Sequence, residues 1–443
     1  MKKAKIGVAC LLRTTFDHVT AYGLFEERVQ KMVKDHPEIE FVVYPKMVIE
    51  PEDGKAAALS FQENHVDALM LVSGTFHLGV LALIIHNICP KPALLWGFDE
   101  LPYDGGKIRL NAVCGCNLDA SNLYKAGVDD YVVHVGNEPD EDWLKAIKML
   151  VALKNTNVGL IGHHAQGFYN VGVDELHLYE SLGVLLNHYE LEDLFGGEAN
   201  DEEVKAEIEE VKAIFDTKKL NDYQVERVAR LTVLAERFMK RNALDVVAIR
   251  CWPEFAKNYG VSPCAMMSIL QSKGYLFACE GDVEAALSMI AVRAAGEETP
   301  FMADLSQVNY QENYALLWHD GVAPCNLWNG KCNRSLETYF AGGKGVTADF
   351  VLKEGKMSIL RIDTARGKTR LFYEEGEAVF MNKDLSGTYA KVLFHRHVKD
   401  VVDTVVYEGV AHHVIMGYVQ YAEAAKILAR ILNWRLIDVE RKA

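Results

Sequence analysis

The chain has 443 residues, 62 acidic against 47 basic, and a formal net charge of −15. That length exceeds one ordinary core and implies two or three domains, and the acidic surplus excludes a nucleic-acid partner, whose phosphates need clustered lysine and arginine. Nine cysteines stand at scattered positions without a Cys-x-x-Cys pair, which argues against a zinc knuckle and fits reduced core cysteines in a cytoplasmic protein.

The basic start at Met1 leads into a short apolar run broken by Arg13 and Asp17, a first strand rather than a signal peptide. Residues 5–12 predict that strand, 16–34 a helix, 39–44 a strand, 54–63 a helix, 68–72 a strand running into Ser73-Gly74-Thr75, and 93–96 another strand. The alternation predicts a parallel sheet with right-handed crossovers over residues 1–155. Arg13, Thr14 and Thr15 follow the first strand, where such sheets place ligand contacts; surface pairing is the other reading of Arg13. The longest apolar segment, 80–89, is too short to cross a bilayer, so no membrane partner is expected. No strand is followed by Gly-x-Gly-x-x-Gly or a Walker loop, so a dinucleotide or ATP site lacks its backbone cradle. Cys114-Gly115-Cys116 has no partner pair and reads as turn packing.

The pattern restarts near residue 156. Residues 158–162 predict a strand followed by His163-His164-Ala165-Gln166-Gly167. Residues 201–219 predict an amphipathic helix with Val204, Ile208, Val211, Ile214 and Phe215 on its apolar face, and 222–241 a second helix. Residues 245–250 predict a strand ending at Cys251-Trp252-Pro253-Glu254. Residues 275–279 form a buried apolar run that stops at Glu280-Gly281, with Asp282 as the cap of an alanine-rich helix reaching Arg293. Beyond residue 300 come short strands at 315–318, 346–352, 356–363 and 369–373, separated by glycine-bearing turns, with a helix at 422–432. The expected fold is α/β: two doubly wound parallel-sheet domains, 1–155 and 156–303, followed by a β-rich antiparallel barrel-like domain, 304–443, with a terminal helix.

Glu280 sits where open α/β sheets bind ligands, at the carboxyl end of a strand, although a solvated loop acid would look the same. Asp304 in Phe-Met-Ala-Asp, His319 in Trp-His, and the pair His412-His413 supply further metal-friendly groups. Two carboxylates with one or two imidazoles suit Mn²⁺, Mg²⁺ or Co²⁺ better than a thiolate-seeking ion. Each piece alone also reads as a hydrogen-bonded structural residue.

Taken together, Gly-Tyr-Leu-Phe-Ala-Cys-Glu280-Gly-Asp, Phe-Met-Ala-Asp304, Trp-His319 and Gly-Val-Ala-His412-His413 resemble, in order and spacing, the motifs of the L-fucose/L-arabinose isomerase superfamily. The resemblance implies a metal-dependent aldose–ketose isomerase working through a cis-enediol. It implies that Glu280, Asp304 and His413 hold Mn²⁺, with Mg²⁺ or Co²⁺ as alternatives, and that Glu280 and Asp304 move the proton. It also implies a homo-oligomer, trimer or hexamer, with sites near subunit interfaces. In the arabinose-type enzymes a histidine matching His319 also lies at the metal, but the second acid stands one position earlier, where this chain has Ala303; His319 is therefore placed with substrate beside Arg13, Trp252 and His412, with metal ligation as its other reading. His163, His164, Gln166, Glu254, Asn326 and Trp328 are further candidates to line the pocket.

The residue types suit that chemistry. Moving a proton between C1 and C2 needs a base and an acid, which two carboxylates supply, and a divalent ion polarises the carbonyl. Arg13 and other cations favour an anionic sugar, phosphorylated or sulfonated. The alternative is a non-catalytic sugar-binding protein built from two linked α/β domains; the acid–histidine set and the absence of a leader weigh against it.

Overall fold

A computed structural model describes residues 2–439. The chain divides into two compact units, one of residues 2–151 with 423–434, the other of residues 152–422 with those from 435 onward.

The first unit is built on β1 (Lys5–Leu11), β2 (Glu40–Val43), β3 (Ala68–Ser73), β4 (Ala93–Gly97) and β5 (Tyr131–Val135). All are parallel, in the order β2-β1-β3-β4-β5. β1, β3 and β4 are buried almost end to end, because helices cover both faces of such a sheet. The strand order reverses between β1 and β3, the ligand-binding position of doubly wound sheets. β5 alternates between buried and exposed residues as an edge strand does, and this weak pattern left it unassigned in the sequence. Cys114 and Cys116 lie in the helix Ala112–Lys125, not in a turn, and Cys116 joins the core. The helix Ala422–Ile431 belongs to this unit: Arg430 donates to the carbonyl of Asp129 (3.1 Å) and lies over the Tyr131 ring.

The second unit holds a parallel sheet and a barrel. The sheet comprises β6 (Val158–Ile161), β7 (Leu186–Tyr189), β8 (Val246–Ile249) and β9 (Leu276–Ala278), in the order β7-β6-β8-β9. The helix Asp201–Ile214 stops short of the expected 219, because Phe215 turns extended and Asp216 bridges to Ser335. The helix Val283–Ala294 is buried nearly all round. It packs against β8 and β9 on one side and against barrel strands on the other, which explains an apolar composition without a polar face.

The barrel strands are β10 (Phe301–Asn309), β11 (Tyr314–His319), β12 (Ser335–Phe340), β13 (Gly345–Val351), β14 (Gly355–Ala365), β15 (Lys368–Val379), β16 (Thr388–Phe394), β17 (His413–Gly417) and β18 (Arg435–Ile437). Antiparallel pairings run β16-β11-β10-β17-β14-β15, and β15 pairs again with β16. Six strands thus close a ring, which removes the exposed edges of an open sheet. β13 and β18 attach in parallel to β16 and β15. The expected boundary near residue 303 falls inside this unit, where β9 and β10 are tied by the Cys279 amide donating to Met302 Sδ (3.3 Å).

Closure depends on Gly376, where β15 meets β16. A Cβ there would lie 2.2 Å from the carbonyl oxygen of Leu393 and 2.9 Å from the Cα of Phe394. The backbones can approach so closely only without a side chain. Gly376→Val is therefore expected to destabilise the fold by about 1–3 kcal/mol or more, read as a lower denaturant midpoint with the slope retained.

Candidate active site

Glu280 follows β9 in a short turn, Cys279–Gly281, and has φ 61° and ψ 12°. The left-handed region costs a residue with a Cβ of order 1–3 kcal/mol, and such strain concentrates at functional sites. Gly281 is also left-handed (φ 73°), and a Cβ on it would lie 2.5 Å from the carbonyl oxygen of His163. Glu280 accepts at its own carbonyl from the Ala165 amide (2.9 Å). The turn after β9 is thus pressed onto the loop after β6.

That side chain meets residues of the barrel. Asp304 on β10 and His413 at the start of β17 are direct cross-strand partners. His413 Nε2 lies 3.4 Å from Glu280 Oε2 and 3.8 Å from Asp304 Oδ1. The His319 ring, at the end of β11, stacks on that of His413 at 5.6 Å between centroids, and His412 lies 3.9 Å from His413 on the same measure. Two overlapping groups could hold a metal ion: Glu280, His412 and His413, and Asp304, His319 and His413. His413 is common to both.

Hydrogen bonds assign these rings different roles. His413 Nδ1 faces Asp282 Oδ2 at 2.8 Å. An ionised carboxylate only accepts, so Nδ1 carries the proton and Nε2 keeps its lone pair toward Glu280 and Asp304. Burial holds the His413 pKa below its usual range despite Asp282, which keeps the ring neutral. His319 is the reverse. Its Nδ1 accepts from the Asp320 amide (2.8 Å), so the neutral ring carries its proton on Nε2 and presents a donor. His412 Nε2 lies 3.1 Å from Glu280 Oε2. Burial opposes charge on His412, but the Glu280 carboxylate outweighs it and raises the His412 pKa. Burial likewise pushes Glu280 up, and the His412 hydrogen bond and the nearby imidazoles outweigh it, so its pKa falls.

Asp304 Oδ1, His319 Nε2 and His413 Nε2 are buried and have no hydrogen-bond partner among the described residues. Three such atoms on three converging side chains are costly unless a ligand satisfies them. Two carboxylates and a bare imidazole nitrogen fit a divalent cation of the Mn²⁺ or Mg²⁺ kind.

Asp282 carries more than the expected cap. Its Oδ1 does accept from the Ala285 amide (2.8 Å). Its Oδ2 also accepts from Arg361 Nη1 (2.6 Å) and holds His413. Both charges of the Asp282–Arg361 pair are fully buried, and burial of Asp282 is overcome by Arg361 and His413, which keep it ionised. Arg361 and its neighbours Glu284 and Asp363 were not singled out in the sequence; the one available signal was a lone arginine inside the apolar strand β14. Arg370 pairs with Asp363 and donates to the Glu408 carbonyl, while Asp363 accepts from the Ala411 amide. This network therefore fixes the segment that delivers His412 and His413.

Trp252 follows β8, is 39% exposed and belongs to neither metal-capable group. Arg13 belongs to the other compact unit, at the carboxyl end of β1, with its amide donating to Thr75 Oγ1 (2.9 Å).

No protein-family model matches the chain. Among curated proteins it is similar to a sulfoquinovose isomerase from Priestia megaterium, 26% identical over 433 residues, 95% of this chain and 96% of that protein. It is also similar to sulfoquinovose isomerases from Alkalicoccus urumqiensis (26% identical, 89% of this chain and 91% of that one) and a Clostridium species (27%, 82% and 84%). Among solved structures, a periplasmic solute-binding protein from Actinobacillus succinogenes with bound D-allose matches 58% of this chain and 82% of its own at 14% identity and a TM-score of 0.17, a likeness that carries no argument.

Asp282→Asn would leave Arg361 short of a charge in the core. The expected loss of stability is roughly 3–5 kcal/mol, measured by chemical denaturation. In the same variant the ¹⁵N spectrum of His413 should show a mixture of tautomers where the native protein shows the Nδ1–H form alone.

Proposed function

We propose that this protein is a divalent-metal-dependent aldose–ketose isomerase whose substrate is a sulfonated hexose of the sulfoquinovose type. The observation that carries the reading is the bare Nε2 of His413, held by Asp282 and faced by both Glu280 and Asp304. Similarity along nearly the whole chain to sulfoquinovose isomerases supports the reaction class and the sulfonated substrate. The motif resemblance to the fucose/arabinose isomerase superfamily supports Mn²⁺, a homo-oligomer and a cytoplasmic setting as parts of the same reading.

Glu280, Asp304 and His413 would hold the cation. Such an ion polarises the sugar carbonyl and favours the charge that develops on the enediolate. The isomerisation moves one proton from C2 to C1 and one from O2 to O1, and no electrons leave the sugar. One of the Glu280 and Asp304 carboxylates, ionised, takes the C2 proton and passes it to O1, while the other, protonated, gives its proton to C1 and recovers one from O2, so that both end as they began. Glu280 would take the basic role as the ionised member, since the His412 hydrogen bond and the nearby imidazoles hold its pKa low against burial. His412 can release and recover a proton against the Glu280 oxygen that it touches. His319, with its Nε2 proton exposed to the site, would donate to a sugar oxygen.

The test uses sulfoquinovose and Mn²⁺. Glu280→Gln should lower kcat by roughly 10²–10⁴-fold while thermal unfolding stays close to that of the native protein; near-native kcat would end the assignment. One equivalent of Mn²⁺ should bind the native protein in calorimetry, and His413→Ala should remove that binding. Ketose formation without any bound metal would leave the fold and overturn the metal role.

A further inference from the structure

The second parallel sheet has its own reversal of strand order. β7 lies to one side of β6, and β8 and β9 to the other. The reversal point is the gap between β6 and β8, and open α/β sheets bind ligands at the carboxyl end of that gap. Here the gap is flanked by His163 and His164, just after β6, and by Arg250, just after β8. Gly162 makes this closeness feasible. It is left-handed (φ 77°), and a Cβ on it would lie 3.1 Å from the Cβ of Arg250.

The groups at this gap are only partly satisfied. Arg250 Nη2 pairs with Glu254 Oε1 at 2.6 Å. Arg250 Nε and Glu254 Oε2 are both buried and have no hydrogen-bond partner among the described residues. One is an orphan cationic donor and the other an orphan acceptor, a combination that matches a ligand bearing both an oxyanion and a hydroxyl. His163 Nδ1 accepts from the His164 amide (3.0 Å) and lies 2.9 Å from His164 Nδ1. The neutral His163 ring therefore offers its Nε2–H as a further donor.

The same loop reaches the metal-capable cluster. Ala165 holds the Glu280 carbonyl, the Phe168 ring lies 5.7 Å from that of His412, and the Asn170 amide lies 3.0 Å from His412 Nδ1. One stretch of chain thus lines both the gap and the metal-facing residues.

The geometry points to a sulfonate subsite at the gap between β6 and β8, in which Arg250, oriented by Glu254 and assisted by His163, receives the anionic end of the sugar while Glu254 Oε2 accepts from a ring hydroxyl. The inference rests on the isomerase reading above and extends it by naming the residues that select the charged substrate. Arginine suits the role because its planar fork presents two donors to two oxyanion oxygens at once.

Two measurements separate this subsite from the isomerase reading. Arg250→Met keeps most of the side-chain stem and removes the charge. It should raise KM for sulfoquinovose roughly 10- to 100-fold with kcat little changed, and Arg250→Lys should recover part of the loss. A purely structural role would instead lower kcat and thermal stability together. Independently, methanesulfonate titrated into the native protein should shift the ring resonances of His163 and His164, and Arg250→Met should abolish the shifts. An active enzyme whose KM and histidine shifts ignore Arg250→Met overturns the subsite alone. Native methanesulfonate shifts in a protein inactive on sulfoquinovose overturn the isomerase reading and leave an anion site standing.

Discussion

The ion pair between Asp282 and Arg361 holds the candidate site together. Both charges are withdrawn from water, and such a pair repays its desolvation only with further partners; on the arginine side these are Glu284, 3.6 Å from Nη2, and Asp363, 4.0 Å from Nε. Asp282 meets that demand in three directions: a helix amide, a guanidinium and an imidazole. Each partner comes from a different part of the second unit: the helix after β9, strand β14 and strand β17. A geometry in which Glu280 and His413 meet therefore requires the sheet, the central helix and the barrel to be in register at one carboxylate.

The consequence for chemistry is a division of labour among neighbouring imidazoles. His412 and His413 are adjacent in sequence but differ in state. His413 is sealed and neutral, with its proton turned toward Asp282. His412 is partly exposed and is biased toward charge by Glu280. His319, from another strand, presents the opposite edge to that of His413. Three chemically identical rings thus supply a lone pair, a shared proton and a donor, because each has a different group on its far nitrogen.

The strand–helix alternation of both sheets was legible in the sequence, since apolar runs separated by polar turns report burial on two faces. The C-terminal region was legible as an antiparallel, barrel-like array, but the strand pairing that closes it was not. Closure rests on the pairing of β15 with β16, and no local signal records which distant strand meets Gly376. The same applies to the site. Glu280, Asp304, His319 and the histidine pair were visible as chemistry-bearing residues in recurring motifs. Asp282 was legible only as a cap, because its other partners are supplied by strands remote along the chain. Arg361 gave a faint sign as a charge in an apolar strand, and Arg250 was hidden because residues 245–250 read as one strand, whereas β8 ends at Ile249 and leaves Arg250 in the loop after it.

The helix of residues 422–431 has a bearing on how the protein is made. It completes the first unit, where Arg430 meets Asp129 and Tyr131, yet it is synthesised after nearly all of the second. Domains generally fold as they leave the ribosome, the N-terminal one first. Here residues 2–151 emerge early but lack their final helix until synthesis is almost finished. The nascent first unit therefore spends most of translation without the contacts that Arg430 makes at Asp129 and Tyr131, and a fragment meant to reproduce that unit must append residues 423–434.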